Sequence, residues 1–254
     1  MSPRRAFLQK EIMEYLRTWR IWLLVLPVLI FAIIGPAFSY FTADFTGEVL
    51  DIADTYEEET ITPDWFAAYS QWTYSLRQIL PVLLVLIAGS TIAGECATGT
   101  AIPILASGLS RRDFVVLKFA VASGMACAVI VAGTLTIHLI SLMLYPQVPW
   151  LAPVAVIGVA SLLAMLLIAM ALFFSTIMPD VFGAVGLEMF LFLALAAASL
   201  WEPARRYSPV GLLTSLSDIV KYNEINVLVP GISAVVCTIL LVMMSVSVFE
   251  RREL

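Results

Sequence analysis

Six apolar segments dominate the chain, and a helix of about 20 such residues is enough to cross the hydrocarbon core of a bilayer. They are Ile21–Tyr40, Gln78–Ala93, Phe119–Leu144, Leu151–Met178, Val181–Leu200 and Ile225–Phe249. The second is short as drawn, and we expect it to begin earlier, in the region Trp72–Leu76. Hydrophobic residues are 61% of the 254 residues and charged residues only 13%, unlike a soluble domain. The sequence therefore predicts an all-α integral membrane protein with six transmembrane helices in one domain, residues 1–254.

The distribution of lysine and arginine predicts the orientation. Ten of the 14 basic residues lie before the first span, between the second and third, or after the sixth. Cytoplasmic segments carry the excess of such residues, so we expect both termini in the cytoplasm and the protein in the cell (plasma) membrane. Charged residues continue to Arg20 without a small-residue cleavage site after the apolar run, so a cleavable signal peptide is not expected.

The N-terminal segment, residues 4–20 within the cytoplasmic stretch 1–20, has the pattern of an amphipathic helix lying in the headgroup layer. Its apolar face would consist of Leu8, Ile12, Tyr15, Leu16 and Trp19. A plain cytoplasmic extension of the first span is the alternative interpretation.

The external loop, residues 44–77, is acidic in its first half and aromatic in its second. Its acidic residues are Asp44, Glu48, Asp51, Asp54, Glu57, Glu58, Glu59 and Asp64. Their spacing fits no defined calcium loop, so a solvated surface is favoured over a cation site. Thr62 and Pro63 predict a helix start, and the aromatic residues from Trp65 to Trp72 predict an interfacial helix leading into the second span.

A second external segment, residues 201–224, precedes the sixth span. It holds Pro203, Pro209 and Gly211 around an apolar run, Val210–Leu216. This pattern fits a broken or re-entrant element in the outer leaflet, which membranes tolerate only where protein buries the backbone. A surface loop fits the residues equally well.

A polar island, residues 94–118, separates the second and third spans. Ser110 and Asp113 form a capping-box pattern that predicts the start of the third helix, and Gly108 is a natural stop for a preceding one. We therefore expect a short helix over 95–106, parallel to the membrane plane, with Glu95 at the point where the second span leaves the bilayer. An ordered contact surface and a simple well-capped turn both remain open.

The polar island resembles the loop between the second and third spans of type-two ABC exporter permeases. The matching residues are Gly94-Glu95, Gly99-Thr100, Leu105, Ser110-Arg111-Arg112-Asp113-Phe114 and Lys118. The layout of the whole chain is similar too, from the amphipathic helix to the broken segment before the sixth span and the charged tail. The chain departs at Gly108-Leu109, where a proline is common, and at Cys96-Ala97, where charged residues are common.

The resemblance implies that the polar island forms a cytoplasmic coupling helix that docks on a separate nucleotide-binding ATPase. The docking residues would be Glu95, Gly99, Thr100, Ser110, Arg111 and Arg112. Two ATPase subunits would act with two permeases, either two copies or two related chains. This chain contains no Gly-x-x-x-x-Gly-Lys-Ser/Thr phosphate loop, so it would bind no cofactor, and ATP and Mg would bind to the partner. The cargo would be a hydrophobic or amphipathic drug, peptide or lipid-like molecule.

Two polar side chains within the spans are candidates for a translocation path. Glu188 in the fifth span is costly at that depth, so it should face a partner helix or a cavity. It could contact substrate or an ion, pair at a dimer interface, or be protonated. His138 in the third span is more typical of hydrogen-bonded packing than of a proton relay.

The remaining function classes are disfavoured by what the sequence lacks. No Gly-x-Ser-x-Gly or His-Glu-x-x-His motif is present, and one histidine excludes most metal hydrolases, so we expect no enzyme and no metal centre. Cys96, Cys127 and Cys237 show no Cys-x-x-Cys spacing, and no basic stripe predicts nucleic-acid binding. An ion-coupled transporter, or a membrane immunity or scaffold protein acting without an ATPase, remains the alternative function.

Overall fold

A computed structural model describes residues 2–52, 65–145, 147–218 and 227–252, and all regular structure in these ranges is helical. The helices are α1 (Pro3–Arg17), α2 (Trp19–Ile52), α3 (Trp65–Ala88), α4 (Thr91–Ala97), α5 (Ala101–Ala106), α6 (Arg111–Leu144), α7 (Leu151–Ile177), α8 (Val181–Ala198), α9 (Glu202–Tyr207), α10 (Gly211–Asp218) and α11 (Leu228–Arg251). Six segments are long and apolar enough to cross a membrane: α2 to Phe41, α3 with α4, α6, α7, α8 and α11. The predicted all-α architecture, with six helical segments that could span a membrane, is confirmed for the described residues.

Several predicted boundaries are wrong, and they err by making the loops too long. The helix of the third span begins at Arg111, directly after the predicted Ser110 cap and eight residues before the predicted apolar segment that begins at Phe119. The first helix continues past Tyr40 to Ile52. The segment 44–77 is therefore helical at both ends rather than a loop throughout. The predicted helix start at Thr62 and Pro63 lies outside the described residues.

The second span differs most from its prediction. It begins at Trp65, before the region expected, and it is interrupted at Gly89 and Ser90 between α3 and α4. The aromatic stretch predicted to lead into the second span is the first part of α3, and its Tyr69 and Trp72 are fully buried against α2 and α6.

Helix α7 is the centre of the bundle. It packs against α3, α6, α8, α10 and α11, and 67% of its most apolar stretch is buried. The corresponding stretches of α8 and α11 are each only 17% buried, so these two helices lie at the periphery. Apolar surface at the periphery of a membrane bundle faces lipid or another protein.

The segment before α11 contains two short helices, α9 and α10. The apolar residues Leu212, Leu213 and Leu216 of α10 are buried, and α10 packs against α3 and α7. A surface loop is therefore wrong for the described part of this segment. Its packed, broken form agrees with the other interpretation, a discontinuous element before the last span.

The N-terminal helix α1 is separate from the first span, because Thr18 adopts an extended conformation between α1 and α2. Its buried face consists of Phe7, Glu11 and Tyr15. Leu16 and Trp19, predicted for the apolar face, are more than half exposed. The prediction of a distinct helix is confirmed, and the helix turns an acidic residue, Glu11, toward the protein.

Candidate functional site

The polar island is an ordered turn–helix–turn rather than one helix over 95–106, so that prediction is wrong. Gly99, at a φ of 70°, ends α4 and allows the chain to turn into the separate helix α5. Such a positive φ is readily adopted only by glycine. The hydroxyls of Thr98 and Thr100 donate to the carbonyls of Gly94 and Glu95, at 2.9 and 3.3 Å, and so satisfy the end of α4.

The predicted cap of the third span is confirmed. Ser110 is extended, and its hydroxyl accepts a hydrogen bond from the backbone N–H of Asp113 at 3.0 Å. Gly108, at a φ of 91°, makes the turn from α5 into this cap. Ala101 at the start of α5 and Leu109 just after the second turn are both buried and hold this segment against the core.

Helix α5 presents apolar surface away from the bundle. Ile102 is 54% exposed, and Pro103 and Ala106 are also exposed. The helix lies between the ends of two candidate spans, beside charged residues. Exposed apolar surface on an ordered element is typical of a protein contact site.

A cluster of charged residues joins α1, the start of α2, α4 and α6, and we call it the face cluster. Its members are Lys10, Glu11, Glu14, Arg20, Glu95 and Lys118. At its centre, Lys118 and Glu11 are each 1% exposed and lie 3.0 Å apart. Glu95 accepts from Lys118 at 3.1 Å and from Lys10 at 2.6 Å. Removing one member of so buried a pair leaves an uncompensated charge, which is strongly destabilising.

Aromatic rings surround the ammonium groups of the face cluster. The Lys118 ammonium lies 5.1 Å from the ring centroid of Phe114 and 5.7 Å from that of Phe7. Phe114 stacks in turn on Phe249 near the end of α11, with centroids 5.1 Å apart. Cation–π contacts of this kind stabilise a desolvated ammonium. The cluster therefore connects α1 to the start of the third span and the end of the sixth.

The charges also affect titration at the exposed edge of the cluster. Burial alone lowers the pKa of Lys10, but hydrogen bonds to Glu14, Glu95 and Glu11 outweigh it and raise this pKa above its usual value. Burial raises the pKa of Glu14, but the hydrogen bond and charge of Lys10 outweigh it and lower the net pKa. Both groups are therefore charged across the neutral range.

The carboxylates of Glu11, Glu14 and Glu95 approach each other closely enough to share a cation. Lys10 forms an ion pair with each of the three. Its ammonium thus supplies the positive charge that a metal ion would otherwise bring, so this arrangement gives no reason to assign a metal site.

Two arginines fix the C-terminal ends of α11 and α7. Arg111 donates to the carbonyls of Phe249, Glu250 and Arg252 at 2.5–3.2 Å, and so satisfies the end of α11. Arg252 donates in turn to the carbonyls of Thr176 and Met178, at 2.9 and 3.2 Å, at the end of α7. Cationic side chains stabilise helix C-termini in this way.

The predicted docking residues thus fall into two groups. Glu95 and Arg111 are engaged within the chain, by the face cluster and by the end of α11. Thr100, Ser110 and Arg112 are exposed beside α5, and Gly99 makes the turn before it. Sequence reasoning missed Lys10, Glu11 and Arg252, although Glu11 shares the four-residue spacing of Phe7 and Tyr15.

The two candidates within the spans lie in different places. His138 of α6 accepts or donates a hydrogen bond with the Tyr69 hydroxyl of α3, at 2.7 Å between the heteroatoms. Trp72 donates to Thr134 one turn away, at 3.3 Å, so His138 belongs to a polar contact between two packed helices. Glu188 of α8 is fully buried, and neither carboxyl oxygen has a hydrogen-bond partner among the described residues.

Six helical segments of spanning length indicate a multi-pass helical membrane protein. The chain belongs to the DUF2705 family, a protein family of unknown function, whose sequence profile matches residues 28–254. No curated protein matches the chain. The match includes all of α3 to α11 and excludes α1, so part of the face cluster lies outside it.

Proposed function

We propose that the chain is the permease subunit of an ATP-driven exporter, which couples ATP hydrolysis on a separate ATPase to export of a hydrophobic or amphipathic substrate. The observation that carries this proposal is helix α5. It is short, its apolar surface is exposed, and it is fixed between the second and third spans at both ends by glycine turns and buried residues. A partner that pushes on such an element moves both spans, since α4 and α6 flank it directly.

The resemblance of the polar island to the coupling loop of type-two exporters supports the same proposal. In this arrangement α5 is the coupling helix that docks on the ATPase, with Thr100, Ser110 and Arg112 around it. Glu95 and Arg111 act differently from the other docking residues. They stabilise the helices on either side of α5 rather than touching the partner, because their side chains are engaged inside the chain.

The face cluster explains how a small helix can transmit force. Glu95 at the end of α4 and Lys118 in α6 pair directly, so the two spans that flank α5 are tied together by a buried charge contact. Glu11 extends this tie to α1. Movement of α5 is then transmitted to α1, α4 and α6 as a unit, which fits alternating access driven by ATPase closure.

The test is capture of the ATPase by the tagged chain, extracted from its native membrane in mild detergent. The expected result is a co-purified nucleotide-binding subunit whose retention falls more than tenfold in Ile102→Asp, because a charge enters the centre of an apolar contact. Leu16→Asp on α1 is the matched control, since Leu16 is also 54% exposed and the substitution is the same.

Two outcomes contradict the proposal. One is the absence of any nucleotide-binding subunit from the wild-type preparation, and the other is equal retention by wild type and Ile102→Asp. The second would show that α5 is not the surface that docks on the ATPase. The first would favour the alternative function, an ion-coupled transporter without an ATPase. The buried and unpartnered carboxyl of Glu188 is the observation that supports this alternative.

A further inference from the structure

At the interruption between α3 and α4, nearby hydroxyl groups form hydrogen bonds with the backbone. The Ser90 hydroxyl donates to the carbonyl of Ile87 at 3.2 Å, and the Thr91 hydroxyl donates to that of Ala88. On the other side, the Ser175 hydroxyl of α7 accepts from the N–H groups of Ile92 and Ala93, at 3.1 and 2.8 Å. A broken helix at membrane depth needs such compensation. The break therefore does not require the carboxyl that lies beside it.

That carboxyl belongs to Glu188 of α8. A β-carbon added to Gly89 would lie 3.0 Å from its Oε2 atom and 3.0 Å from a methyl group of Val185. Glu188 is 0% exposed, and neither oxygen has a hydrogen-bond partner in the described part of the chain. A fully buried, unpartnered carboxyl is thus packed directly against the one place where the second span is broken.

No cation in the neighbouring helices compensates a charge on Glu188. Helix α8 packs chiefly against α3, α4 and α7, and α7 contains no ionisable residue. In α3, the nearest charged residue is Arg77, twelve residues before Gly89 and so about 18 Å away along a helix. Tyr69 and Tyr74 are farther still. In α4, Cys96 is neutral and Glu95 is bound to Lys10 and Lys118. A buried ion without partner or counter-charge is strongly disfavoured, so the neutral acid is the form that fits here.

The packing also selects the ligand. A metal ion brings several further ligands and needs room for them, whereas even a methyl group on Gly89 would crowd Oε2. A proton needs no added space. We propose that Glu188 binds a proton at the break between α3 and α4 and releases it to water when α8 moves away from Gly89. The closed arrangement, with α8 against Gly89, then holds one proton more than the opened arrangement, with α8 moved away.

Helix α8 is suited to such a movement. Its most apolar stretch is only 17% buried, against 67% for α7. It touches the broken span through small contacts, Val185 against Gly89 and Val181 against Gly94. A helix held by few buried contacts opens at lower cost than one in the core. This inference does not depend on whether an ATPase drives the chain.

Infrared difference spectroscopy of the protein in lipid vesicles tests proton binding. Wild type minus Glu188→Gln at pH 7 is expected to show the carbonyl band of one protonated carboxyl, lost in the variant. Glu188→Asp is expected to retain a shifted band, which covers the case in which the glutamine variant folds poorly. Carboxylate bands in place of the acid band would overturn the proposal, because Glu188 would then be ionised in the closed arrangement.

A cross-link tests release. A β-carbon at Gly94 would lie 3.8 Å from a methyl carbon of Val181, so Gly94→Cys with Val181→Cys is the pair of variants to test for a disulfide between α4 and α8. In a background without the native cysteines, the reduced protein is expected to lose the acid band as the pH rises. The oxidised protein is expected to keep it. Identical behaviour of the two forms would show that release does not require movement of α8.

Discussion

Glu11 and Glu188 are both almost completely buried, but their surroundings are opposite in charge compensation. Glu11, in the face cluster, lies within 3.0 Å of the ammonium groups of both Lys10 and Lys118. Glu188 has no hydrogen-bond partner among the described residues. The first carboxylate is held as an ion by neighbouring cations, and the second is tolerated only as a neutral acid. A buried glutamate serves as a fixed ionic contact in one region and, by the inference above, as a movable, proton-dependent contact in the other.

The largest effect is expected from breaking the fixed joint. Lys118→Met keeps the length and apolar stem of the side chain but leaves Glu11 and Glu95 without their buried counter-charge. Loss of one partner of a buried ion pair costs about 3–5 kcal/mol, so we expect this drop in the free energy of unfolding. Thermal unfolding of the purified protein in detergent measures it.

The double variant Glu11→Gln with Lys118→Met is the control for that loss. It removes both central charges, so most of the stability lost in Lys118→Met is expected to return. Double-mutant cycles isolate the pair energy in this way. A double variant less stable than Lys118→Met would contradict the pairing described for the face cluster.

A smaller effect is expected from pH at the exposed edge of the face cluster. The pKa of Glu14 is lowered in the folded chain, so its contribution is complete above its ordinary value of about 4.3 and is lost as the pH falls through the lowered value. The pKa of Lys10 is raised, so its contribution is complete below about 10.4 and is lost at higher pH. Attachment of α1 should therefore be constant between about pH 5 and pH 10.

A spin label at Met13→Cys, on the exposed side of α1, reports this attachment when the native cysteines are replaced. Its mobility is expected to increase below about pH 4, as Glu14 takes up a proton. Glu14→Gln should have a more mobile label at neutral pH and a smaller further change in acid. A label equally mobile at pH 7 and in acid would show that α1 is not held by these charges.

Much of this architecture can be predicted from the sequence, but the different surroundings of the two glutamates cannot. Long apolar runs and the Ser110 cap are local signals, so six spans and the start of the third could be predicted. The pairing of Glu11 with Lys118 joins residues 107 positions apart, and nothing in one sequence indicates which buried acid meets which base. The break at Gly89 is equally hidden, because it depends on Ser175 of another helix.

The smallest change in stability is expected for a substitution of Glu188. It contrasts most clearly with the same substitution of Glu11. Glutamine is neutral and nearly isosteric with the protonated carboxyl, and no hydrogen bond described for Glu188 is lost. At pH 7 we therefore expect Glu188→Gln to be at least as stable as wild type, whereas Glu11→Gln leaves Lys118 with fewer counter-charges and should be destabilised. Thermal unfolding of both variants beside wild type makes the comparison.

The pH dependence of the stability difference between wild type and Glu188→Gln then shows whether folding binds a proton. If the folded chain holds a proton on Glu188 that the unfolded chain has released, the stability of wild type must fall relative to Glu188→Gln as the pH rises, by up to about 1.4 kcal/mol per pH unit. A difference that stays constant between pH 5 and pH 8 would mean that Glu188 does not change its proton on folding. The two buried glutamates would then differ in their partners, but neither would act as a proton-binding group.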